Sequence, residues 1–314
     1  MLFGMAAGAD RFKIYLKTTP AQEFLRPFAD PVTLALLVTY ADGRPVEQGK
    51  LAIILDAPKS GAFLTTDFPV VEGSRLLELA LPLRQGRAQW KYLFPIRGDY
   101  RLSVQLVAAD ATVQSQSFVI PVLENRAKWL WLSLFCAGLF VCGFAAGRIF
   151  TTTAALAPTL CLIFLFAGFA AVGGHDGPAA TGQITDPPAG LEIAAASVGQ
   201  PTRLRWRFTE TSAPNALLSL SVFHLEKRKT VFAIDKVPVA GDYSVDFHFP
   251  DGAEYRVNSI AEVAGQAPLR IEQLVAVTAV EPPMTAQIPA LLLFLAVVAL
   301  GLGAGRFSKT LAAR

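Results

Sequence analysis

The sequence is poor in charged residues, in histidine and in cysteine. Only 17% of its 314 residues are charged, whereas 53% are hydrophobic, and a soluble protein usually has about a quarter of its residues charged. Part of the chain is therefore expected to lie in lipid. Basic and acidic residues number 28 and 25, a balance too even to indicate a nucleic-acid partner. All cysteines lie in apolar runs, which argues against a disulfide framework or a paired-cysteine metal site: Cys136, Cys142 and Cys161.

Three stretches of the sequence carry no charge and are long enough to cross the hydrocarbon core of a bilayer. They are 129–147, 154–173 and 286–305. Because lipid offers no partner to backbone N–H and C=O groups, each stretch is predicted to be a helix. With flanking residues, the three predicted transmembrane helices cover 127–148, 152–173 and 285–306.

Basic residues at the helix ends predict how the chain is oriented. Arg148 lies between the first two predicted helices, and the C-terminal end, with the tail 307–314, carries Arg306, Lys309 and Arg314. Since basic residues near helix ends favour the cytoplasm, both regions are predicted to be cytoplasmic. The two polar segments of the chain then lie in the periplasm of a bacterial inner membrane. Arg126 and Lys128, before the first helix, favour the opposite orientation.

Residues 1–10 are apolar and end in small residues, as the last part of a signal peptide does. They lack a basic region and are short for such a peptide. Two interpretations stay open: a signal-peptide remnant, whose true start lies upstream, or a frayed terminus.

The two polar segments, 11–125 and 191–283, alternate apolar and polar residues with a period of two. Phe12, Ile14 and Leu16 form one such row, and Leu204 and Trp206 belong to another. This pattern is typical of half-buried strands, and short strands with glycine and proline turns predict a β-sandwich. The expected fold is a membrane protein with two all-β immunoglobulin-like sandwiches and three transmembrane helices, the linker 174–190 leading into the second sandwich.

An internal repeat relates the two polar segments. Residues 92–102 align without a gap with 247–257, at an offset of 155 residues. In both copies an aromatic strand ends at Phe-Pro and the next begins at Tyr-Arg. Tyr100 and Tyr255 therefore occupy the position of the corner tyrosine of an immunoglobulin-like sandwich. A predicted helix follows each copy, which indicates a duplicated unit of sandwich plus helix.

The sequence offers few side chains for catalysis or metal binding. A metal site needs several ligands that converge. His224 and His248 could share one, with copper as the candidate metal, but no cysteine or methionine accompanies them and surface positions are the favoured interpretation. Neither a Gly-x-Ser-x-Gly elbow nor a glycine-rich phosphate loop is present. We therefore expect no catalytic residue, no bound cofactor and no enzymatic activity.

Two further sets of residues are candidates for binding. The first is basic and is favoured as a solvated turn beside a strand, with a face for anionic lipid or an acidic partner as the alternative: Arg203, Arg205, Arg207, Lys227, Arg228 and Lys229. The second is formed by glycines spaced four apart in the first and third predicted helices, which favour close helix contact: Gly143, Gly147, Gly301 and Gly305. Such contact could be within the chain or with a partner protein.

Three stretches of the second segment carry a resemblance to a known group. They are Ser-Val-Phe-His-Leu-Glu-Lys at 221–227, Val-Phe-Ala-Ile at 231–234 and the repeat copy at 247–257. On these the segment resembles the YtkA/FixH-like group of bacterial extracytoplasmic immunoglobulin-like domains. The resemblance implies copper handling or oxidase assembly, although the chain has fewer histidines and methionines than metal-binding members. In layout the chain is also similar to the B subunits of particulate methane monooxygenases.

The function that these features favour is noncatalytic. We expect an inner-membrane accessory, scaffold or assembly protein whose two periplasmic domains bind another envelope or membrane protein. The alternative is a copper-handling protein, or a subunit of a membrane copper enzyme or oxidase assembly system.

Overall fold

The structure, a computed structural model, describes residues 11–59, 61, 65–108, 112–149, 190–207, 216–263, 265–281 and 284–312. The chain divides into two compact units. The β unit consists of Met1–Glu124 and Gly182–Pro282, and the helical unit of Asn125–Thr181 and Pro283–Arg314. The possible signal-peptide remnant 1–10, the predicted helix 152–173 and nearly all of the linker 174–190 lie outside the described residues.

The first polar segment forms seven strands. They are β1 (Phe12–Thr19), β2 (Val32–Tyr40), β3 (Gly49–Asp56), β4 (Arg75–Pro82), β5 (Arg87–Tyr92), β6 (Gly98–Ala108) and β7 (Val113–Val122). A short 3-10 turn, Gln22–Phe24, lies between β1 and β2. Along most of these strands buried and exposed side chains alternate, as in β5 and β6, because successive side chains of a strand point to opposite faces.

The described residues of the second polar segment also form seven strands. They are β8 (Gly190–Ile193), β9 (Pro201–Arg207), β10 (Ala216–His224), β11 (Lys229–Val239), β12 (Tyr243–His248), β13 (Glu254–Glu262) and β14 (Leu269–Ala276). Strand β10 alternates between buried and half-buried positions along its whole length. Proline begins β9, where a missing backbone N–H costs little.

The strands form two seven-stranded antiparallel sheets. The first sheet has the order β1-β2-β5-β11-β10-β13-β14, and the second has the order β7-β6-β3-β4-β12-β9-β8. In each segment, the first, second and fifth strands lie in one sheet and the other four strands in the opposite sheet. This division of strands is the fibronectin type III variant of the immunoglobulin-like sandwich. The structure thus confirms an immunoglobulin-like β-sandwich fold.

The two segments share their sheets, an arrangement that strand patterning does not predict. Strand β5 pairs with β11 through Tyr92–Phe232 and Lys91–Ala233. Strand β4 pairs with β12 through Glu78–Asp246 and Leu77–Phe247. In both of these seams, the fifth strand of one segment pairs with the fourth strand of the other. The segments are therefore joined edge to edge, in a reciprocal way, into one double-layered sandwich.

A chain of aromatic rings crosses the junction of the two segments. The rings follow one another as Tyr100, Phe94, Tyr92, Phe247, Phe249 and Tyr255, with centroids 4.7, 5.3, 6.5, 5.0 and 4.7 Å apart. All six side chains are buried. All six rings belong to the two repeat copies. Tyr92 contacts Phe247, the residue that corresponds to it at the offset of 155 residues. Since such ring pairs add about 0.5–1.5 kcal/mol each beyond burial, the repeat contributes directly to joining the segments.

The helical unit contains two described helices, α1 (Arg126–Ile149) and α2 (Met284–Ala312). Helix α2 continues into the predicted tail, as far as Ala312. The helices pack in parallel, since the rings of Phe135 and Phe294 are in edge-to-face contact with centroids 5.2 Å apart and Gly143, further along α1, lies against Gly301, further along α2. Both are long and apolar enough to cross a membrane. Within the described residues there are two such helices rather than the three expected.

Candidate functional site

The corner tyrosines of the two segments each bind the backbone four residues earlier. The Tyr100 hydroxyl donates to the carbonyl oxygen of Ile96 at 2.7 Å and accepts from the Ile96 N–H at 2.9 Å. The Tyr255 hydroxyl lies 3.4 Å from the carbonyl oxygen of Asp251 and also donates to the Asp251 carboxylate. Asp251 therefore occupies the position that Ile96 holds in the first copy. The sequence does show this difference, because Asp251 stands where the first copy has Ile96, but the repeat alone did not mark Asp251 as a candidate residue.

Asp251 is the centre of a hydrogen-bonded cluster of four side chains. Its carboxylate accepts from Tyr255, from the ammonium group of Lys227 and from His224 Nε2, the last at 3.2 Å. Burial alone would raise the pKa of Asp251, but the hydrogen bonds from His224, Lys227 and Tyr255 outweigh it and hold that pKa below its ordinary value. Burial and the neighbouring carboxylate raise the pKa of Tyr255, so its hydroxyl stays protonated. The cluster is a structural network.

His224 has both ring nitrogens engaged in this cluster. The backbone N–H of Lys227 donates to Nδ1 at 3.3 Å, so Nε2 carries the proton and donates to Asp251. The ring is fully buried and lies 4.8 Å from that of Tyr255. His224 is therefore a core residue, not the surface residue expected from the sequence.

The lysines of the β10–β11 turn contact the first segment. The Lys227 ammonium lies 3.8 Å above the ring of Phe28, a cation–π contact. Lys229 donates to the carbonyl oxygens of Phe28, at 2.9 Å, and Ala29. The turn is exposed at Glu226, Lys227 and Arg228, as expected, but its two lysines also bind the β1–β2 loop.

The six basic residues of the alternative binding face do not lie together. Strand β9 lies in the second sheet, whereas the β10–β11 turn lies in the first, so their basic residues are on opposite sheets. Each arginine of β9 also has an acidic partner: Arg203 pairs with Asp246 at 2.8 Å, Arg205 with Asp242 at 2.6 Å and Arg207 with Glu192 at 2.9 Å. These ion pairs neutralise the charge that an anionic partner would need.

His248 joins the segments at the second seam. Its Nε2 accepts from the N–H of Gly199 at 2.9 Å, so Nδ1 carries the proton; this atom lies 3.1 Å from Ser74 Oγ and 3.3 Å from the Arg75 carbonyl oxygen. The Ser74 hydroxyl donates to the Val71 carbonyl oxygen at 2.7 Å. A serine beside a histidine suggests a catalytic pair, but a protonated Nδ1 cannot accept the serine proton. The contact is structural, and His248, like His224, is buried rather than exposed.

The two histidines are not brought together as a shared metal site. His224 belongs to the first sheet and His248 to the second, and each ring already bonds to protein groups through both nitrogens. Among the residues that the structure describes, no group of three or more histidine, cysteine, aspartate or glutamate side chains is placed to hold a metal ion.

The buried position of His248 predicts a pH dependence of stability. Burial lowers the pKa of His248, so the ring stays neutral in the fold where an exposed histidine, with a pKa of about 6.5, takes up a proton. The free energy of unfolding should therefore fall as the pH drops from about 7 to 5, by at most about 1.4 kcal/mol per pH unit. Urea unfolding of wild type and His248→Gln across this range measures the effect. Parallel curves for the two proteins would contradict it.

The four glycines of the predicted helix-packing motif all lie in the contact between α1 and α2. A Cβ atom added to Gly143 would lie 2.6 Å from the Val298 carbonyl oxygen, and one on Gly147 would lie 2.3 Å from that of Leu302. Gly301 and Gly305 approach α1 just as closely. No side chain fits between backbones at these distances, so the motif is used within the chain.

Comparison with known proteins adds little to this geometry. No protein-family model matches the chain, and no curated protein does. Among solved structures, the chain is similar to red sea bream transglutaminase (9% identity, TM-score 0.22, 87% of this chain and 32% of that one). It is also similar to a two-domain fibronectin type III segment of chicken tenascin (10%, 0.21, 84% and 97%). The chain spans about a third of the transglutaminase. The fold class, an immunoglobulin-like β-sandwich protein with two long apolar helices, rests on the strand order.

Proposed function

We propose that the protein is a noncatalytic accessory, scaffold or assembly protein of a bacterial inner membrane, whose β unit binds another envelope protein in the periplasm. The observation that carries the membrane part is the surface of α1. Its buried residues are Gly143 and Gly147 alone, while most of its large apolar side chains, Trp129, Leu130 and Trp131 among them, are exposed within the part of the chain that the structure describes. Apolar surface of this extent favours lipid as the surrounding medium.

The parallel packing of α1 and α2 supports the orientation. Two parallel spanning helices enter the membrane from the same side, and each follows the last strand of one polar segment: β7 ends at Val122 and β14 at Ala276. Both segments would then share one side. The chain would also have to cross back between the helices, and the charge-free stretch 154–173 is available for that crossing.

The engagement of polar side chains in the β unit supports a binding role over a catalytic one. His224 bonds within the Asp251 cluster, His248 bonds to Arg75 and contacts Ser74 across the second seam, and Asp251 is held by three donors. Catalysis requires reactive groups that converge on a free space. Copper handling remains a prediction from the resemblance alone.

One crosslinking experiment tests the sidedness and the partner together. A membrane-impermeant amine-reactive crosslinker is added to sealed spheroplasts that contain the full-length protein. Lys13 and Lys17, exposed on β1, should react, and a stoichiometric adduct with one envelope protein should form. Lys309, exposed near the end of α2, should react only after permeabilisation. Reaction of Lys309 before Lys13 would overturn the orientation, and repeated recovery of the uncrosslinked monomer would overturn the scaffold function.

A further inference from the structure

The seam between β5 and β11 is open at one end. The two strands pair only at Tyr92–Phe232 and Lys91–Ala233, although β5 extends back to Arg87 and β11 extends on to Val239. A bulge in β11 accounts for the separation: Ile234 and Val237 lie opposite Leu220 and Leu218 of β10, and Lys236 between them has a φ of 47°. Beyond Ala233 the strands diverge and leave a cleft of about 270 Å³.

The cleft has an apolar floor and a charged rim. Leu81, Ala88 and Val237 are buried at its base, and the rim carries Arg84 and Arg87 together with Asp235 and Lys236. The Asp235 carboxylate accepts from Ser219 Oγ at 2.9 Å, and the Lys236 ammonium pairs with Glu262 at 3.6 Å. Arg84 Nη1 donates to the Lys236 carbonyl oxygen at 3.0 Å, which leaves the rest of its guanidinium available. Within the described residues, no carboxylate lies within 4 Å of the Arg84 or Arg87 guanidinium.

The wall formed by β5 has one residue, Gln89, beyond the last pair with β11. The N–H of Leu93 donates to the Val231 carbonyl oxygen at 2.9 Å, so alternate residues of β5, Lys91, Gln89 and Arg87, direct their backbone groups toward β11. Lys91 has a partner in Ala233, and the backbone N–H and C=O of Arg87 bond to Arg84, so Gln89 lies between two paired residues. Its backbone groups face the cleft and can bond to the backbone of an extended peptide. The cleft, at about 270 Å³, is also smaller than the 300–1,000 Å³ typical of small-molecule pockets.

The second repeat copy provides an internal comparison for the charge. At the offset of 155 residues, Arg87 corresponds to Asp242 and Lys91 to Asp246. Asp242 forms an ion pair with Arg205, and Asp246 forms one with Arg203. The corresponding positions of the first copy are basic, and the rim arginines are open to a ligand of the opposite charge.

We propose that this cleft binds an extended, acidic segment of the partner protein. The backbone of the segment bonds to that of Gln89, and its carboxylates pair with Arg84 and Arg87. This assignment rests on the proposed scaffold function and specifies where, and by what chemistry, the partner is held. Bidentate pairs between guanidinium and carboxylate groups supply the charge specificity, and backbone hydrogen bonds supply the direction of the strand.

Two blocked hexapeptides test the proposal on the full-length protein in lipid nanodiscs, by calorimetry. Thr-Glu-Val-Glu-Val-Thr should bind saturably, and Thr-Lys-Val-Lys-Val-Thr should not. The variant Arg84→Ala/Arg87→Ala should bind the acidic peptide at least tenfold more weakly. The control Lys50→Ala/Arg101→Ala removes the same charge from exposed positions of the second sheet and should bind like wild type. Hydrogen exchange at the Gln89 amide should slow when the acidic peptide is bound.

The possible failures are distinguishable. No saturable binding of the acidic peptide, equal binding of both peptides, or equal loss in both double variants would overturn the cleft assignment. If wild type is still crosslinked to a partner in spheroplasts in those cases, the scaffold function stands and only the assignment of its site falls. If no partner is crosslinked, the scaffold function itself falls.

Discussion

Replacement of Gly147 by leucine is expected to separate helix α1 from helix α2. A single added Cβ atom would lie 2.3 Å from the carbonyl oxygen of Leu302 and 3.0 Å from its Cα atom, and both are backbone atoms that no rotamer change can move. The helices would have to part by more than the width of the leucine side chain, and the packing between them would be lost.

A thiol crosslink across the helix contact measures this effect. Phe135 and Phe294 are replaced by cysteine, since their rings are in edge-to-face contact with centroids 5.2 Å apart, and Cys136, Cys142 and Cys161 are replaced by alanine. A short bis-maleimide, which spans the space that the two rings occupied, should link the two positions rapidly in this background and at least ten times more slowly with Gly147→Leu. Gly138→Leu is the matched control on the same helix, because nothing lies within 4 Å of a Cβ atom built there. Equal slowing by both substitutions would show that the glycine contact is not what holds the helices.

The glycine spacing illustrates what a sequence pattern can and cannot predict. Small residues four apart indicate a helix contact because they let backbones approach, which is a local property. Which helix makes the contact depends on the path of the chain. Here the structure places Gly143 and Gly147 against Gly301 and Leu302 of α2, so these glycines pack within the chain. The glycine spacing is therefore accounted for without a partner protein.

The strands could also be predicted from a local property, because burial alternates along a strand with a period of two. The sharing of sheets between the two segments could not be predicted in this way. Each seam is only two residue pairs long. Glu78 pairs with Asp246 across one of them, but nothing in the sequence around either residue indicates a partner in the other segment. The repeat was visible, but not that Tyr92 and Phe247 of its two copies pack on each other.

The charged residues show what the sequence alone leaves open. A basic face that includes Arg203 and Arg205 was the alternative interpretation, because their acidic partners, Asp246 and Asp242, lie about forty positions along the chain. Such pairing is a property of the sheet, in which β9 and β12 are neighbours. The cluster around Asp251 could not be predicted for the same reason: its donors are distant in sequence and come from β10, from the following turn and from β13.

Replacement of Asp251 by alanine is expected to destabilise the β unit by about 2–4 kcal/mol. The substitution removes the acceptor of His224 Nε2 and the counterion of Lys227, and it leaves the buried Tyr255 hydroxyl only the carbonyl oxygen of residue 251, at 3.4 Å. Loss of one partner from a largely buried charged network costs more than the network itself contributes, because the remaining groups stay desolvated. Urea unfolding in mild detergent, followed by near-ultraviolet circular dichroism, measures the change. Asp242→Ala, which removes a half-exposed ion pair with Arg205, should cost no more than about 1 kcal/mol.

The pH dependence of this difference identifies its cause. Because the pKa of Asp251 lies below its ordinary value of about 3.9, ionised Asp251 stabilises the fold fully above that value, and the contribution is lost as the pH falls below it. The gap in unfolding free energy between wild type and Asp251→Ala should therefore be constant from pH 7 to 5 and narrow toward pH 3. A gap that does not change with pH would assign the loss to packing around Tyr255, since packing does not titrate. A narrowing gap would assign it to the carboxylate, the residue by which the second repeat copy departs from the apolar corner of the first.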